Sequence, residues 1–406
     1  MNSQSKTIKN IWIFNHYATK LDEPKTRAYD IGRELIKKGH RVTVFASSFS
    51  HYKLEEKYLR KDEKSRTEDC DGVRFVWIKT FPYKKNDWRR ALNMISFAWR
   101  VFRLGRKMAE KPDIIIGTCV HPFAVLSAYL VARKKKSRFF FEITDLWPQS
   151  MIEFGAFSKN NLIVLILGVL EKYLFKKAEK IIIIPPHIDK YIISRRIPKE
   201  KIVWIPNGLD LSFYQNMKDY DGGKPNKIVC MYAGIFSQYA GLETILKAAK
   251  ILQNKGNKSV KFVLLGDGAE KPKLLEMAKS LNLQNVEFHD MVPRTEVLKE
   301  YEKADVFISI IKDMVFPGGV SSKKLNDYLA SGRPVIFAVT SKNNPVEEAR
   351  AGITIPSEDP AALAQAAEKI LVFTPEKRAK MAKNAKDYAK NYLGIKILAE
   401  KLEKLF

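Results

Sequence analysis

Short apolar runs alternate with helical patterns from one end of the chain to the other, and this alternation restricts the fold more than any other feature. Several runs are apolar at every position, as parallel strands covered on both faces should be. Helices are predicted between them, for example over Thr26–Lys38 and Pro122–Lys134. The predicted strands are Ile11–Phe14, Val42–Phe45, Val73–Ile78, Ile114–Gly117, Phe139–Glu142, Ile181–Ile184, Ile202–Ile205, Ile228–Ala233, Lys261–Leu265, Val286–His289, Val306–Ile311 and Val335–Ala338. This pattern is typical of an α/β fold with doubly wound sheets.

The alternation stops near the middle of the chain and then restarts. Asn207–Asp210 is turn-like, and Tyr220–Pro225 has the glycine and proline content of a linker. We therefore predict two Rossmann-like domains, residues 1–210 and 211–387, with a C-terminal helix of about residues 388–406 that packs back on the first domain. A single large sheet with insertions is the alternative, which the glycine-rich linker disfavours.

The charge balance is unusual for a globular protein. The net charge is +26, from 71 Lys and Arg residues against 45 Asp and Glu residues. Such an excess favours phosphorylated substrates, an anionic membrane or nucleic acid as partners, and solubility is the plainer explanation. The lysines are spread along the whole chain and show no aromatic stacking platform, so we predict no nucleic-acid partner.

Cysteine usage and apolar runs bear on the compartment. Cys70, Cys119 and Cys230 are far apart and show no metal-binding spacing, which indicates a reducing compartment. Residues 1–10 are polar and show no secretory signal. The longest apolar run, Leu162–Leu170, is too short to span a bilayer. We expect a cytoplasmic protein that associates peripherally with the inner leaflet.

Glycine-containing loops follow several predicted strands of the second half. Gly234 and Gly266 each come directly after such a strand, and Gly268 comes two residues after Gly266. Ligands of open α/β sheets bind outside the carboxyl ends of the strands, where glycines let backbone N–H groups approach a phosphate. Arg294 follows a third strand and is placed to pair with a diphosphate. Ordinary turns and a solvated arginine are the alternatives for each feature taken alone.

The segment around residues 318–334 gives the strongest indication of a ligand site. Its helix is predicted from caps and an apolar face: Ser321 or Ser322 at the start, Leu325, Tyr328 and Leu329 on one face, and Gly332 at the end. The backbone at Gly318 and Gly319, the helix start, Lys323 and Lys324 then converge where a phosphate would bind. Asp327, one turn further, is placed to accept hydrogen bonds from sugar hydroxyls. We predict a nucleotide-sugar site here, with an ordinary capped helix as the alternative.

Short motifs in a particular order extend over essentially the whole chain. In the first half they are Asn15-His16-Tyr17-Ala18, Gly39-His40-Arg41-Val42-Thr43, Ala46-Ser47-Ser48-Phe49-Ser50-His51, Asp71-Gly72-Val73, His121-Pro122-Phe123 and Asp145-Leu146-Trp147-Pro148. From the boundary onward they are Ile205-Pro206-Asn207-Gly208-Leu209-Asp210, Lys324-Leu325-Asn326-Asp327-Tyr328 and Gly332-Arg333-Pro334. With these motifs the chain resembles the retaining glycosyltransferases of family four, which have the GT-B fold of two domains facing a cleft. Within that family it resembles the bacterial surface-polysaccharide branch that includes N-acetylfucosamine transferases.

The resemblance implies that the second domain holds a nucleotide-diphosphate sugar, most often UDP-linked, and that the first domain holds the acceptor. Asp327 matches the second acid of the family's Glu-x7-Glu motif, which holds ribose hydroxyls. The first acid would fall at Gly319, and Ile235–Gln238 replaces the Arg and Lys that the family places after the first strand of the second domain. We therefore assign the diphosphate contacts to two cations and to backbone N–H groups: Lys323, Lys324, Gly234, Gly318 and Gly319.

Four residues of the first domain are predicted to face the same cleft. Asp145 ends a strand and is assigned the role of orienting the donor sugar or the acceptor hydroxyl, with a helix N-cap as the alternative. His121 follows another strand and is predicted to reach the same place, with a satisfied structural histidine as the alternative. His16 and Arg27 flank the loop in which many relatives place paired glycines near the diphosphate. No Asp-x-Asp arrangement with metal-holding character is present, so we predict neither a metal nor any cofactor besides the nucleotide sugar.

Two segments of the first domain combine apolar and basic side chains. Residues 87–110 interleave Trp88 and Trp99 with arginines, and residues 162–180 carry nine consecutive apolar residues followed by lysines. Basic helices with aromatic residues lie in membrane interfaces, whereas packing on the sheet as core helices is the alternative. We predict that at least one of them docks the protein on the anionic cytoplasmic leaflet.

Taken together, these features predict a retaining glycosyltransferase that moves a UDP-linked N-acetylated hexosamine, or a deoxy relative, to a polyprenyl-diphosphate-linked sugar in surface-glycan assembly, such as that of O-antigen. A sugar-nucleotide epimerase of the same fold is an alternative, but the second domain is poor in the carboxylates and histidines that it would need. A non-catalytic basic protein that binds a membrane or nucleic acid is another alternative, and it would not need the glycine loops.

Overall fold

The computed structural model describes residues 7–20, 26–85, 87–153, 155, 157–313 and 318–406. The chain forms two compact units, one of residues 1–207 with 395–406 and one of residues 208–394. Each unit has its own sheet, so the alternative of a single sheet with insertions does not apply.

The first unit is built on an eight-stranded sheet with the order β10-β9-β8-β7-β1-β2-β6-β5. Its strands are β1 Asn10–Phe14, β2 Arg41–Ser47, β5 Ser65–Cys70, β6 Val73–Ile78, β7 Ile114–Cys119, β8 Arg138–Ile143, β9 Lys180–Ile183 and β10 Ile202–Trp204, with a separate small pair, β3 Phe49–Ser50 and β4 Glu55–Glu56. Its helices are α1 Arg27–Lys37, α2 Trp88–Lys107, α3 Pro122–Lys135, α4 Gln149–Glu153, α5 Leu162–Lys177 and α6 Ile188–Ser194. All neighbouring strands of the large sheet are parallel except β5, which runs antiparallel to β6.

Strand β1 shows why this sheet is buried on both faces. Trp12 and Phe14 pack with α2, α3 and α5 on one face, and Ile11 and Ile13 pack with α1 on the other. Side chains of a strand alternate between the two faces, so a strand that is covered twice must be apolar at every position. The predicted strands of this unit are all present, but β5 was not predicted, because its residues are polar.

The second unit has a six-stranded, fully parallel sheet with the order β13-β12-β11-β14-β15-β16. Its strands are β11 Ile228–Ala233, β12 Val260–Leu265, β13 Val286–His289, β14 Val306–Ile310, β15 Val335–Ala338 and β16 Gly352–Ile355. Its helices are α7 Glu243–Asn254, α8 Lys271–Ser280, α9 Val297–Tyr301, α10 Lys323–Ser331, α11 Pro345–Glu348, α12 Pro360–Leu371 and α13 Pro375–Tyr388. The predicted strands are again all present, and β16 is an additional one.

The last helix, α14 (Ile395–Glu403), packs on α1 in the first unit. Leu398, Ala399 and Leu402 are buried there, and the Glu403 carboxylate forms a 2.9 Å ion pair with the Lys38 ammonium group. The returning segment is shorter than the expected residues 388–406. Residues 388–394 pack with the second unit instead, where the Leu393 carbonyl accepts a hydrogen bond from the Leu209 N–H at 3.0 Å.

Strand order determines where a crevice opens beside each sheet. In the first unit β1 lies between β2 and β7, and in the second β11 lies between β12 and β14. At these positions successive crossovers leave to opposite sides, which opens a crevice at the carboxyl ends of the strands.

Candidate functional site

A cavity of about 550 Å³ lies in the second unit at the carboxyl ends of β11, β12 and β14. Apolar and aromatic side chains form most of its wall, and among the described residues one carboxylate and one ammonium group line it. The lining residues are Tyr232, Ala233, Gly234, Ile235, Ser237, Tyr239, Ala240, Leu265, Gly266, Met291, Val292, Val297, Tyr301, Ile310, Ile311, Lys324 and Asp327. Of the residues predicted to hold the donor, Gly234, Gly266, Lys324 and Asp327 are therefore brought together.

Helix α10 positions both charged residues of the cavity. Its start is capped by Ser322, whose hydroxyl accepts a hydrogen bond from the Leu325 N–H at 3.3 Å, and Gly332 ends it in the left-handed conformation. Tyr328, on the buried face, exchanges two 2.8 Å hydrogen bonds with the backbone N–H and carbonyl of Ala233. The caps and buried face predicted from the sequence are confirmed, and Tyr328 ties the helix directly to the end of β11.

Lys324 enters the cavity without a carboxylate partner among the described residues. Its ammonium group lies 4.1 Å from the centroid of the Tyr232 ring, and burial lowers the pKa of the Lys324 ammonium group to about 7. Lys324 is half-buried, and a cation that is removed from water without a counterion is costly unless a ligand supplies the negative charge. This side chain is therefore poised for an anion such as a diphosphate.

Asp327 lies one turn further along the same helix. The Tyr214 hydroxyl donates a hydrogen bond to its Oδ1, and no described residue donates to its Oδ2. Burial raises the pKa of the Asp327 carboxyl above its usual range, although the Tyr214 hydrogen bond and the charges of Arg294 and Lys323 oppose the effect. Tyr214 was missed by the sequence reasoning, because it lies more than a hundred residues earlier, in a short 3-10 helix at Leu211–Tyr214.

The predicted glycine loops mainly allow two backbone segments to approach each other. A Cβ on Gly266 would lie 1.9 Å from the Gly234 carbonyl oxygen, and a Cβ on Gly268 would lie 2.5 Å from the Phe236 carbonyl oxygen. The loop after β11 and the loop after β12 are joined by a 2.8 Å hydrogen bond from the Phe236 N–H to the Asp267 carbonyl. Gly268 is thus used for this packing and does not line the cavity, contrary to its expected role in holding a phosphate.

The other predicted donor contacts lie outside the cavity wall. Arg294 is exposed, with its guanidinium 4.9 Å from the Phe213 ring centroid, and its charge still reaches Asp327. Gly318 and Gly319 are buried, and Lys323 is half-buried at the first position of α10. The preceding residues 314–317, part of the predicted phosphate loop, lie outside the described residues.

Two buried histidines meet at the carboxyl edge of the first unit's sheet. His16 follows β1, His121 follows β7, and 2.7 Å separates His16 Nδ1 from His121 Nε2. Because His121 Nδ1 accepts a 3.3 Å hydrogen bond from the Ala124 N–H at the start of α3, its proton must lie on Nε2 and be donated to His16. Burial lowers the pKa of His121 to about 3, and the charge of Arg90 adds to the effect.

Both ring nitrogens of His121 are therefore engaged in hydrogen bonds. His121 is thus a satisfied structural histidine, the alternative that the sequence analysis left open for it. His121 orients His16, whose ring also stacks on Phe97 at 4.4 Å and on Tyr17 at 4.5 Å. This arrangement differs from the expected catalytic role of His121, because in it neither nitrogen is available to a substrate.

Asp145 and Arg27 have contrasting environments. Asp145 is exposed just beyond β8, and helix α4 begins only at Gln149, so Asp145 is not that helix's capping residue. Arg27 is buried and engaged internally. It donates to Glu142 Oε1 at 3.0 Å, to the Ile205 carbonyl at 2.9 Å and to the Pro206 carbonyl. Arg27 therefore holds strand ends together, which differs from its expected contact with a ligand.

Helices α2 and α5 each bury one face and expose another apolar face. On α5 the exposed residues include Leu162, Leu165, Ile166 and Val169, with Val169 71% accessible. On α2 they are Trp88, Leu92, Ile95 and Trp99. Within the part of the chain that the structure describes, no helix is long and apolar enough to cross a membrane. In the same part, no group of three or more His, Cys, Asp or Glu side chains is arranged to hold a metal.

Fold and site together define a class of protein, the GT-B glycosyltransferases, and solved structures share this fold. Sucrose-phosphate synthase from Thermosynechococcus elongatus is 16% identical with a TM-score of 0.73, and the match covers 98% of each chain. HepE from Anabaena, solved in complex with UDP, is also 16% identical with a TM-score of 0.69 over 98% of this chain and 99% of that one.

Sequence comparisons give the family. Residues 25–213 match Glycosyltransferase Family 4, and residues 227–372 match Glycosyl transferases group 1. The chain belongs to the family-4 glycosyltransferases. Over 319 residues, 75% of this chain and 77% of the relative, it is 23% identical to WcaI of Escherichia coli, a protein named for glycosyl transfer in colanic acid biosynthesis.

Proposed function

We propose that this protein is a retaining glycosyltransferase that moves a sugar from a UDP-linked donor to a polyprenyl-diphosphate-linked sugar in surface-glycan assembly. The observation that carries the proposal is the second unit's cavity, in which Lys324 and the carboxylate of Asp327 lie one turn apart on α10 and no described carboxylate pairs with Lys324. An N-acetylated hexosamine or a deoxy relative is the sugar that we favour. The name of WcaI supports a role in surface-polysaccharide synthesis, and the UDP bound to HepE supports a UDP-linked donor.

The roles that we propose for Lys324 and Asp327 follow from the charges of their side chains. Lys324 neutralises the diphosphate of the donor, and Asp327, held at Oδ1 by Tyr214, presents Oδ2 to the ribose hydroxyls. A protein cation at this position supplies the charge that a metal would otherwise supply, so we propose a metal-independent reaction. Front-face attack needs no strict protein base, because the leaving phosphate takes the acceptor proton. The first unit then has to position the acceptor, for which Asp145 and His16, which His121 orients, are our candidates.

Nucleotide binding tests the donor site directly. We expect UDP, but not GDP, ADP or dTDP, to raise the thermal midpoint, and to do so equally with and without Mg²⁺. A ligand at a hundred times its dissociation constant stabilises the folded state by about 2.7 kcal/mol. Asp327→Ala should weaken UDP binding about tenfold, the size of one lost charged hydrogen bond.

The matched control is Asp290→Ala, which removes an exposed carboxylate from a neighbouring loop and should leave the UDP shift unchanged. The absence of a shift with every nucleotide would contradict the donor site and favour the non-catalytic alternative. The anomeric configuration of the product, read by proton NMR, separates retention from inversion once a donor is found.

We also propose that the protein docks on an anionic membrane surface through the exposed faces of α2 and α5. An apolar side chain that moves from water into the interface contributes about 1.5–3 kcal/mol, and each nearby Lys or Arg contributes about 1 kcal/mol. Ile166→Asp with Val169→Asp should therefore reduce flotation with anionic vesicles at least tenfold. Val372→Asp, which changes an equally exposed valine of the second unit, should have no effect. A wild-type protein that does not float at low salt would contradict docking.

A further inference from the structure

A second cavity, of about 590 Å³, lies in the first unit between α2 and the hairpin formed by β5 and β6. It is separate from the donor cavity, which lies wholly in the second unit. One wall is the C-terminal half of α2, and the other is the start of β5 with the end of β6. The lining residues are Asp62, Lys64, Ser65, Ile78, Lys79, Trp99, Arg100, Arg103, Leu104 and Lys107. We name it the α2 groove.

The α2 groove is strongly cationic. Five of its lining side chains carry positive charge (Lys64, Lys79, Arg100, Arg103 and Lys107), and one, Asp62, carries negative charge. None of the five forms an ion pair with another described residue. The fold satisfies some of them with neutral groups instead, since Arg100 donates to the Lys79 carbonyl at 2.6 Å and Lys79 donates to the Lys61 carbonyl. Several like charges that share one concave surface attract an anion from solution.

An apolar stripe on α2 leads to the rim of this groove. Trp88, Leu92, Ile95 and Trp99 follow one another at spacings of four, three and four residues, so they share one helical face. Their side chains are 64%, 36%, 48% and 55% accessible. Trp99 belongs to both features, because it lines the groove and its ring carries the Arg103 guanidinium at 4.6 Å from the centroid.

We propose that the α2 groove binds the phosphate headgroup of an anionic membrane lipid, with the acyl chains lying against the stripe from Trp99 to Trp88. The cations alone would be enough to bind a soluble anion, so a soluble anion does not explain the exposed tryptophan and isoleucine next to them. A membrane lipid carries a phosphate next to hydrocarbon, and tryptophan prefers the level where the two meet. The inference rests on the proposed membrane docking and adds a defined lipid site to it.

Vesicle binding of the full chain tests the groove. The groove variant is Lys64→Gln/Arg103→Gln/Lys107→Gln, and its control is Lys247→Gln/Lys279→Gln/Lys380→Gln, which removes the same charge from exposed positions of the second unit. Vesicles contain phosphatidylcholine with or without phosphatidylglycerol. We expect the groove variant to bind phosphatidylglycerol vesicles about a hundredfold more weakly than wild type, and the control to change less than threefold. Both variants should keep the UDP-induced thermal shift, which reports the second unit.

A second measurement identifies the source of the phosphate. Fluorescence titrations with monomeric short-chain phosphatidylglycerol and with glycerol phosphate are compared for wild type and Trp99→Phe. The lipid should change the Trp99 signal at concentrations at least tenfold below those of glycerol phosphate, and the groove variant should abolish this difference. Equal responses to lipid and glycerol phosphate would overturn the lipid site in favour of a soluble anion.

The outcomes for docking and for the groove are distinguishable. Equal losses in the groove variant and the control would show that membrane binding depends only on total charge, so the groove would be overturned while docking stands. A wild-type protein that does not bind phosphatidylglycerol vesicles would overturn both the membrane docking and the lipid site in the α2 groove.

Discussion

Replacing Lys324 by methionine is expected to weaken binding of the nucleotide-sugar donor about a hundredfold without lowering the stability of the folded protein. Removal of one partner from a buried charge pair costs about 3 kcal/mol of binding free energy, and each factor of ten corresponds to about 1.4 kcal/mol. In the unliganded protein Lys324 has no carboxylate partner among the described residues, so methionine removes an uncompensated charge and keeps most of the packing on Tyr232. Calorimetric titration with UDP and thermal unfolding measure the two effects.

The neighbouring residue provides the control. Lys323→Met removes the same charge one position earlier on α10, but Lys323 does not line the cavity, so we expect less than a fivefold change in affinity. Equal losses in the two variants would mean that α10 attracts the donor by general charge and that Lys324 makes no specific contact.

From the lowered pKa of Lys324 we predict how donor binding depends on pH. Burial lowers the pKa of Lys324 to about 7 in the free protein, so the cation is present below that pH and is lost above it. An anionic donor prefers the protonated form, and the dissociation constant should be constant below about pH 7 and rise up to tenfold per pH unit above it. A nucleotide sugar has no phosphate proton to lose in this range. Calorimetry at about pH 8 in two buffers should show proton uptake in the wild type and none in Lys324→Met.

Replacing Arg27 by methionine is expected to lower the free energy of unfolding of the first unit by about 3–5 kcal/mol. The guanidinium donates to Glu142 and to the carbonyls of Ile205 and Pro206. Its loss leaves a buried carboxylate whose remaining partner among the described residues is the Thr118 hydroxyl at 2.9 Å. All six tryptophans, Trp12, Trp77, Trp88, Trp99, Trp147 and Trp204, lie in the first unit. Urea unfolding followed by tryptophan fluorescence therefore reports this unit.

Two further variants separate an internal role of Arg27 from contact with a ligand. Adding Glu142→Gln to Arg27→Met should recover part of the lost stability, because the unpaired charge is removed. Lys37→Met, on an exposed position of the same helix, should change stability by less than about 0.5 kcal/mol. If Arg27→Met abolished transfer while the unfolding curve stayed in place, the residue would contact substrate as the sequence reasoning expected.

Most strands could be predicted because burial on both faces forces apolar residues at successive positions. In the two large sheets, β5 and β16 were not predicted, and each has a physical reason. Strand β5, Ser65–Cys70, lies at a sheet edge and is mostly solvent-exposed, so it needs no apolar pattern. Strand β16, Gly352–Ile355, is only four residues long and begins with a glycine, so its apolar pattern is short. The glycine is needed because a Cβ at this position would lie 1.8 Å from the Val335 carbonyl oxygen.

Part of the donor site could be predicted from local sequence patterns. Lys324 and Asp327 lie on one helix with a recognisable cap, so their approach to the strand ends follows from local pattern. Gly268 has the composition of a phosphate loop but is used for packing against Phe236. Composition alone cannot separate these two uses, because both need a residue without a side chain.

By itself, the sequence determined the order of strands and helices, their caps and the restart that separates two parallel sheets, since periodicity and capping act over a few neighbouring residues. Tertiary structure alone decided which charged and polar groups meet. His16 pairs with His121, Arg27 with Glu142 and Tyr214 with Asp327, each across more than a hundred residues. Such pairs depend on which strand ends lie side by side, and sheet order is a property of the whole packed unit. For the same reason, only the folded chain shows that Lys324 forms no ion pair with a carboxylate among the described residues, which makes it the residue best suited to receive a diphosphate.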